Sequence, residues 1–416
     1  MPKGTERGHY ESASWAPRLA YSGGSASKAA PYKAFIPDRI GEYDPALSGA
    51  TLALCEEAGM AVRELNASAE GLKSLEGLAR QLLRSEALAS SEIEGLNLSQ
   101  RKLARAELEG DAGDYKAREV LGNARAMEEA IRIGSEASPL SPDDVRSIHR
   151  ALAISPPLAR IAGQIREEQG WIGGPSPPAA EFVPPPHEYV PELVDDLCRF
   201  MNRGDLSPVA QAAIAHAQFE TIHPFGDGNG RVGRCLIHVL FRRRRIASSY
   251  VPPVSLVLGA RKDAYISGLE AFRFDEVESW TVAFAAAVEA SARQARAFSG
   301  RVADLQADWI ERAEPLRADA TARSIIEVLP SYPIITAAVA ERVTGRSRVA
   351  AINGLEHLAQ VGILTRRRNQ RKGDSWEAKE LFALLDDFET TLHRPDLSLP
   401  GRGQGGRDLR GDGARP

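Results

Sequence analysis

Three cysteines in 416 residues, Cys55, Cys198 and Cys235, are too few and too far apart for a disulfide framework, and no CxxC spacing makes them a structural zinc site. Cysteine used this way fits a reducing compartment, and a cytoplasmic location is expected. Long apolar runs are missing too. Nothing approaches the roughly 18 residues that a membrane-crossing helix needs, so no membrane partner is expected. The N-terminus has no apolar segment of the signal-peptide kind, and its Gly, Ser and Pro content reads as a disordered lead-in over 1–30. A net charge of -4 removes any general pull toward nucleic acid. What remains, 43% hydrophobic and 26% charged, suits a soluble globular chain of two or three domains.

Helical periodicity dominates. From 31 to 110, "PALSGATLALCEEAGMAVRELN" and "LKSLEGLARQLLRSEALASSEIEG" space apolar residues by three and four. A region from 111 to 313 continues with helices over about 116–133, after Ser141-Pro142 as an N-cap and first turn, after Glu192, through "SPVAQAAIAHAQFETI" and "RCLIHVLF", and over roughly 261–313. Within it, "GQIREEQGWIGGPSPPAAEFVPPPHEYVP" (163–191) breaks the pattern with Pro and Gly and reads as a loop or β-hairpin. Residues 314–392 read as helix, short helix, a turn at Thr344-Gly345, helix and two short strands, a winged helix-turn-helix pattern. The Gly- and Arg-rich tail, 393–416, is expected to be disordered. The fold class is therefore mainly α, with a small β-hairpin and a C-terminal winged helix-turn-helix.

One stretch carries chemistry: "HPFGDGNGRVGR", 223–234. It contains GxGxxG, but no strand precedes it as a dinucleotide fold requires. It nearly contains a P-loop, but Arg234 and Cys235 stand where lysine and a hydroxyl belong. In a helix-loop-helix context, Gly228, Asn229 and Gly230 can turn backbone N–H groups toward an anion at the start of the next helix. Arg231 and Arg234 leave neighbouring positions on its first turn and could grip further oxygens. Asp227 would repel phosphate unless a cation such as Mg2+ lay between them. His223, ahead of Pro224, ends the preceding helix and is suited to take a proton from an attacking hydroxyl.

These residues resemble the HPFx[DE]GNGRxxR signature of the Fic (Fido) family at every defined position. The likeness extends to "WIGG", "FVPPP", "YKAFIPDRI" and "SSEIEG", and covers about residues 31–295. It implies a Fic-type helical core and transfer of AMP from ATP to a Ser, Thr or Tyr hydroxyl of a target protein or of the chain itself. It further implies that His223 is the general base and that Asp227 binds Mg2+ at the phosphates. Gly228 to Gly230 would form the anion nest, Asn229 would help hold the α-phosphate, and Arg231 and Arg234 would contact outer phosphates. Phe225 would anchor the loop in the core. The 171–186 segment would be the flap that aligns a target strand. Glycine at 230 favours the AMP-transferring orientation of ATP. Where many relatives carry an Asn shortly before a Tyr pair, this chain has Ala260 and one aligned tyrosine, Tyr265, which leaves the adenosine contacts open.

By the same resemblance Ser90-xxx-Glu94-Gly95 matches an inhibitory [ST]xxxE[GN] motif whose glutamate pairs with the second motif arginine, here Arg234. Spacing alone would equally allow a solvated glutamate near a helix end. Two other functions stay open: a nucleotide-sensing DNA-binding regulator, with Arg348, Asn353 and Glu356 on a recognition helix and a basic wing over 366–372, and an enzyme that removes AMP with Glu94 positioning water. Arg242 to Arg245 read as complements to a helix C-terminus. A homodimer burying the N-terminal helices is a further expectation.

Overall fold

A computed structural model describes residues 7–16, 29–67, 75–109, 114–313, 320–368 and 373–392. It opens with an antiparallel pair, β1 (Gly8–Trp15) and β2 (Ala30–Pro37), in register Gly8 to Pro37 through Trp15 to Ala30. This corrects two expectations. Residues 8–15 are a strand and not a disordered lead-in, and 31–37 is strand and not helix. The β1 sequence, GHYESASW, is too polar to announce itself. Its order comes from β2, whose last four residues are buried, and from Arg7, which donates its N–H to the Arg273 carbonyl at 3.0 Å and lies over the Tyr43 ring.

The helices follow in chain order: α1 (Gly49–Ala67), α2 (Leu75–Ile93), α3 (Gln100–Glu109), α4 (Tyr115–Ser135), α5 (Pro142–Leu152), the single turn α6 (Pro156–Ala159), α7 (Val190–Met201), α8 (Pro208–Ile222), α9 (Asn229–Arg243), α10 (Val254–Ala260), α11 (Lys262–Arg273) and the long α12 (Val277–Arg312). The start expected at Ser141 is there: its hydroxyl accepts the Asp144 N–H while the Asp144 carboxylate accepts the Ser141 N–H, a capping box that satisfies two orphan donors. α8 is apolar on every side and buried nearly all round. It is the central rod, packed by α1, α7, α9 and α12. The 163–191 segment is mostly loop, closed by the bridge of Ile172 with Phe182 and by a single turn at Pro177–Ala179.

Beyond residue 319 come α13 (Ala320–Val328), β3 (Ile334–Thr336), α14 (Ala337–Thr344), α15 (Arg348–Gln360), β4 (Thr365–Arg367), β5 (Ser375–Glu377) and α16 (Lys379–Leu392), with strand order β3-β5-β4. The turn read at Thr344-Gly345 is a left-handed cap, Gly345 at φ 65°. In the basic strand, Arg366 pairs with Asp374 and Glu356, while Arg367 shares the Glu377 carboxylate with Arg101 and Arg105. The rest of the expected wing, 369–372, and the tail, 393–416, lie outside the described residues. The arginine run complements the ends of neighbouring helices and not its own: Arg243 donates to the Ser138 carbonyl after α4, and Arg244 to the Gly204 and Leu206 carbonyls after α7. No helix among the described residues is long and apolar enough to cross a membrane.

Candidate active site

The site is the turn between α8 and α9. Pro224 bars the helical region to the residue before it, and His223 takes a left-handed conformation at φ 51°, which costs a non-glycine residue roughly 1 kcal/mol. Arg166, which the sequence reading passed over, holds it there. Its Nε donates to the His223 carbonyl at 2.9 Å, and its Nη2 donates to the Pro185 carbonyl at 2.5 Å. Its backbone N–H reaches the Pro224 carbonyl at 3.0 Å. One buried guanidinium thus joins the α8–α9 turn to the 163–191 segment.

Two residues on from His223, Phe225 plunges into the core and stacks on His149 with ring centroids 3.9 Å apart, the anchoring role expected of it. His149 Nδ1 accepts the Gly163 N–H at 2.9 Å, so its proton sits on Nε2 and is donated to the Asp227 carbonyl at 3.1 Å. Gly228 sits at φ 80°, and a Cβ there would come within 2.8 Å of Leu152, so only glycine fits. Asn229 does not face the loop mouth. Its Oδ1 accepts the Phe225 N–H at 2.9 Å and its Nδ2 donates to the Phe225 carbonyl at 2.8 Å, so the amide ties the loop and is already spent. The α9 N-terminal amides remain to receive an anion. Asp227 is exposed at the mouth, its Oδ1 accepting the Gly228 N–H at 2.6 Å.

The two arginines part company. Arg231, expected at the phosphates, turns into the protein: its Nη1 meets the Glu119 carboxylate of α4 at 2.6 Å, with both side chains almost wholly buried. Arg234 lies under the nest. Its Nε donates to the Ser90 hydroxyl at 2.9 Å, and its Nη2 to the Ser90 carbonyl at 2.8 Å and to Glu94 Oε1 at 2.7 Å. Burial drives the Glu94 carboxyl upward, but the Arg234 charge and hydrogen bond outweigh it and leave the group below its ordinary value. A Cβ on Gly230 would stand 2.1 Å from Glu94 Oε1, so glycine at 230 also makes room for the glutamate.

Around this pair the electrostatics separate the titratable groups. Burial, helped by the Arg166 charge, lowers His223 to about 4, so its imidazole is neutral at ordinary pH; its Nδ1 is buried with no partner among the described residues. Burial raises Glu220, one turn back on α8, to about 8 against the pull of Arg234. Tyr265 is not at a surface that could meet adenosine. It is buried with its hydroxyl 2.8 Å from His216 Nε2, inside a ring cluster with Trp280. Of the expected residues, then, His223, Asp227, Gly228, Gly230, Arg234 and Glu94 converge on one mouth, while Asn229, Arg231 and Tyr265 hold the scaffold behind it. No group of three metal-binding side chains occurs among the described residues. One exposed carboxylate beside an anion nest suits Mg2+, which binds through one carboxylate plus substrate phosphates.

The chain matches the model of the Fic/DOC family over residues 139–241 and that of the Fic/DOC family N-terminal region over 52–132. It is 33% identical over 159 residues to protein adenylyltransferase fic-1 of Caenorhabditis elegans, covering 36% of this chain and 28% of that one. It is 33% identical over 124 residues to protein adenylyltransferase Fic of Nematostella vectensis, covering 30% and 26%. The matches thus span less than a third of these relatives' length. Among solved structures, a Fic family protein from Desulfovibrio desulfuricans G20 superposes with a TM-score of 0.52 at 22% identity, over 81% of this chain and 98% of that one.

Proposed function

Since this chain belongs to the Fic/DOC family, we propose that it is an autoinhibited protein adenylyltransferase that moves AMP from ATP to a Ser, Thr or Tyr hydroxyl. The observation that carries the reading is the engagement of Arg234 by Glu94 and Ser90 directly over Gly230, at the mouth where His223, Asp227 and the α9 amides converge.

In the open state the ATP phosphates lie along the nest, and Arg234, freed from Glu94, holds the outermost one through its fork. Asp227 would hold Mg2+, which would neutralise phosphate charge. His223, its imidazole kept neutral by burial, accepts the proton of the target hydroxyl. The hydroxyl oxygen bonds to the α-phosphorus as the bond to the bridging oxygen breaks, and pyrophosphate leaves with that electron pair. The Ile172–Phe182 flap, tied to the catalytic turn by Arg166, presents an extended backbone on which a target segment adds as a strand. With Glu94 in place, the room beside Gly230 and the arginine are both taken.

The test is incubation of ATP labelled at the α-phosphate with wild type, Glu94→Gly and Glu94→Gly/His223→Ala proteins. Label in Glu94→Gly that disappears with His223→Ala is the expected result. Transfer that falls in Glu94→Gly while wild type strips AMP from a modified protein would replace the proposal with the removal reaction. Label in none of the three, with ATP-dependent DNA binding in wild type, would replace it with the sensor reading.

A further inference from the structure

The helix that ends at Glu94 is held from outside the catalytic core. α2 packs its apolar face, Leu78, Leu82, Ala89 and Ile93, into the main core. Its N-terminal half faces the turn after α13. Gln81 Nε2 donates to the Pro330 carbonyl at 2.5 Å, Arg84 Nη1 donates to the Ser331 carbonyl at 3.0 Å, and Arg80 lies over the Tyr332 ring. Gly77 lies so close that a Cβ would come within 2.8 Å of Pro330. The next helix is gripped by the same unit: Gln100 donates to Glu389 of α16 at 2.6 Å, and Arg101 of α3 meets the buried Glu377 of β5 at 2.6 Å. At its other end, Lys262 of α11 donates to the Ile93 carbonyl at 2.6 Å, and Gly259 packs on Ile93.

The two holds differ in kind. The catalytic side of α2 joins a close-packed apolar face to well-formed polar ties, Glu86 with the Ser255 N–H and hydroxyl and Ser90 with Arg234. The seam with 320–392 is polar, keeps a cavity of about 180 Å3 lined by Arg80, Arg84, Glu107, Tyr332 and Arg342, and leaves Gln81 Oε1 buried without a partner among the described residues. A polar, incompletely filled and incompletely satisfied seam separates more readily than a dry one. From Gln81 to Ser90 the helix runs about 14 Å as one rigid rod. A shift at the seam is therefore passed along the rod toward Ser90 and Glu94.

We infer that the C-terminal unit, 320–392, is the holder of the inhibitory helix: seated on α2 it keeps Glu94 on Arg234, and unseating it lets the helix end withdraw and opens the nucleotide mouth. This rests on the autoinhibitory reading above, and it gives the unit a task that does not depend on what its own outer surface binds.

The test uses the full chain with two seam variants, Gln81→Leu and Gly77→Ala, beside Glu94→Gly, and with Arg293→Ala as a control that cuts an exposed pair within α12. Hydrogen exchange of the amides of residues 86–94 is read together with transfer from α-labelled ATP, and a melting curve confirms folding. Both seam variants should exchange faster there by roughly three- to tenfold, the factor one ordinary hydrogen bond gives. They should also raise labelling toward the Glu94→Gly level, with Arg293→Ala matching wild type. Unchanged exchange in folded seam variants overturns the inference. So does faster exchange without added labelling in a protein whose Glu94→Gly form is activated. If Glu94→Gly itself shows no gain, the brake reading fails, and exchange alone still decides whether the unit holds the helix.

Discussion

At the scale of single residues, the site works by unequal burial. Glu220 and Glu94 both face Arg234, yet burial lifts one carboxyl to about 8 and the arginine holds the other below its ordinary value. Glu220 has a consequence for stability. A carboxyl whose folded pKa is raised contributes fully below the unfolded value near 4.5, and the contribution is lost as pH rises through 8, because the unfolded chain gives up its proton first. Glu220→Gln cannot titrate. The difference in Tm between variant and wild type should therefore swing in the variant's favour from pH 5 to pH 9; a difference that stays constant across that range would refute a protonated Glu220. His223 runs the other way. An NMR titration of its ring should show it neutral down to about pH 4, so an acid limb near 6.5 in the nucleotide-free protein would contradict its burial.

At the scale of elements, the catalytic turn is held by groups distant in sequence. Arg166 donates to carbonyls at His223 and Pro185, and its loss leaves those buried acceptors unmet. Arg166→Met should lower stability by about 2–4 kcal/mol in urea denaturation and cut labelling in a Glu94→Gly background more than tenfold, since both the base and the flap lose their tie. By contrast Ser141→Ala, which removes one side of the α5 capping box, should cost about 1 kcal/mol and leave labelling alone. These two cases also mark what was legible. The cap at Ser141, the helix break at His223-Pro224 and the left-handed Gly345 are local and could be read from neighbouring letters. So could the coincidence of Glu94 with Arg234, given the family likeness. The partnership of Arg231 with Glu119 spans 112 positions, and that of Arg166 with His223 spans 57; no spacing rule reaches either. Asn229 misled for a different reason: an amide at a helix start can serve a ligand or the loop, and only the Phe225 backbone decides. β1 was missed because a polar strand owes its order to a partner elsewhere in the chain.

At the scale of the whole molecule, three histidines share one direction. Burial lowers His149 to about 4, His216 to about 3 and His223 to about 4. Each takes up a proton in the unfolded chain near 6.5 but not in the folded one until well below that. Their share of the stability is therefore complete above pH 6.5 and falls as pH drops toward 4. The urea midpoint should fall steeply across this window, and His216→Gln should make the fall shallower; a midpoint flat from 6.5 to 4.5 would rule the account out. The buried Arg231–Glu119 pair reaches further, into how mutants of this site are to be understood. Removing one partner of such a pair costs about 3–5 kcal/mol because the other charge is stranded. An inactive Arg231→Ala protein would thus be a folding casualty, and loss of signal would be mistaken for loss of grip on ATP. Replacing both members by apolar side chains of similar size should give back a folded chain, and on that background the arginine's part in the reaction can be read without the artefact.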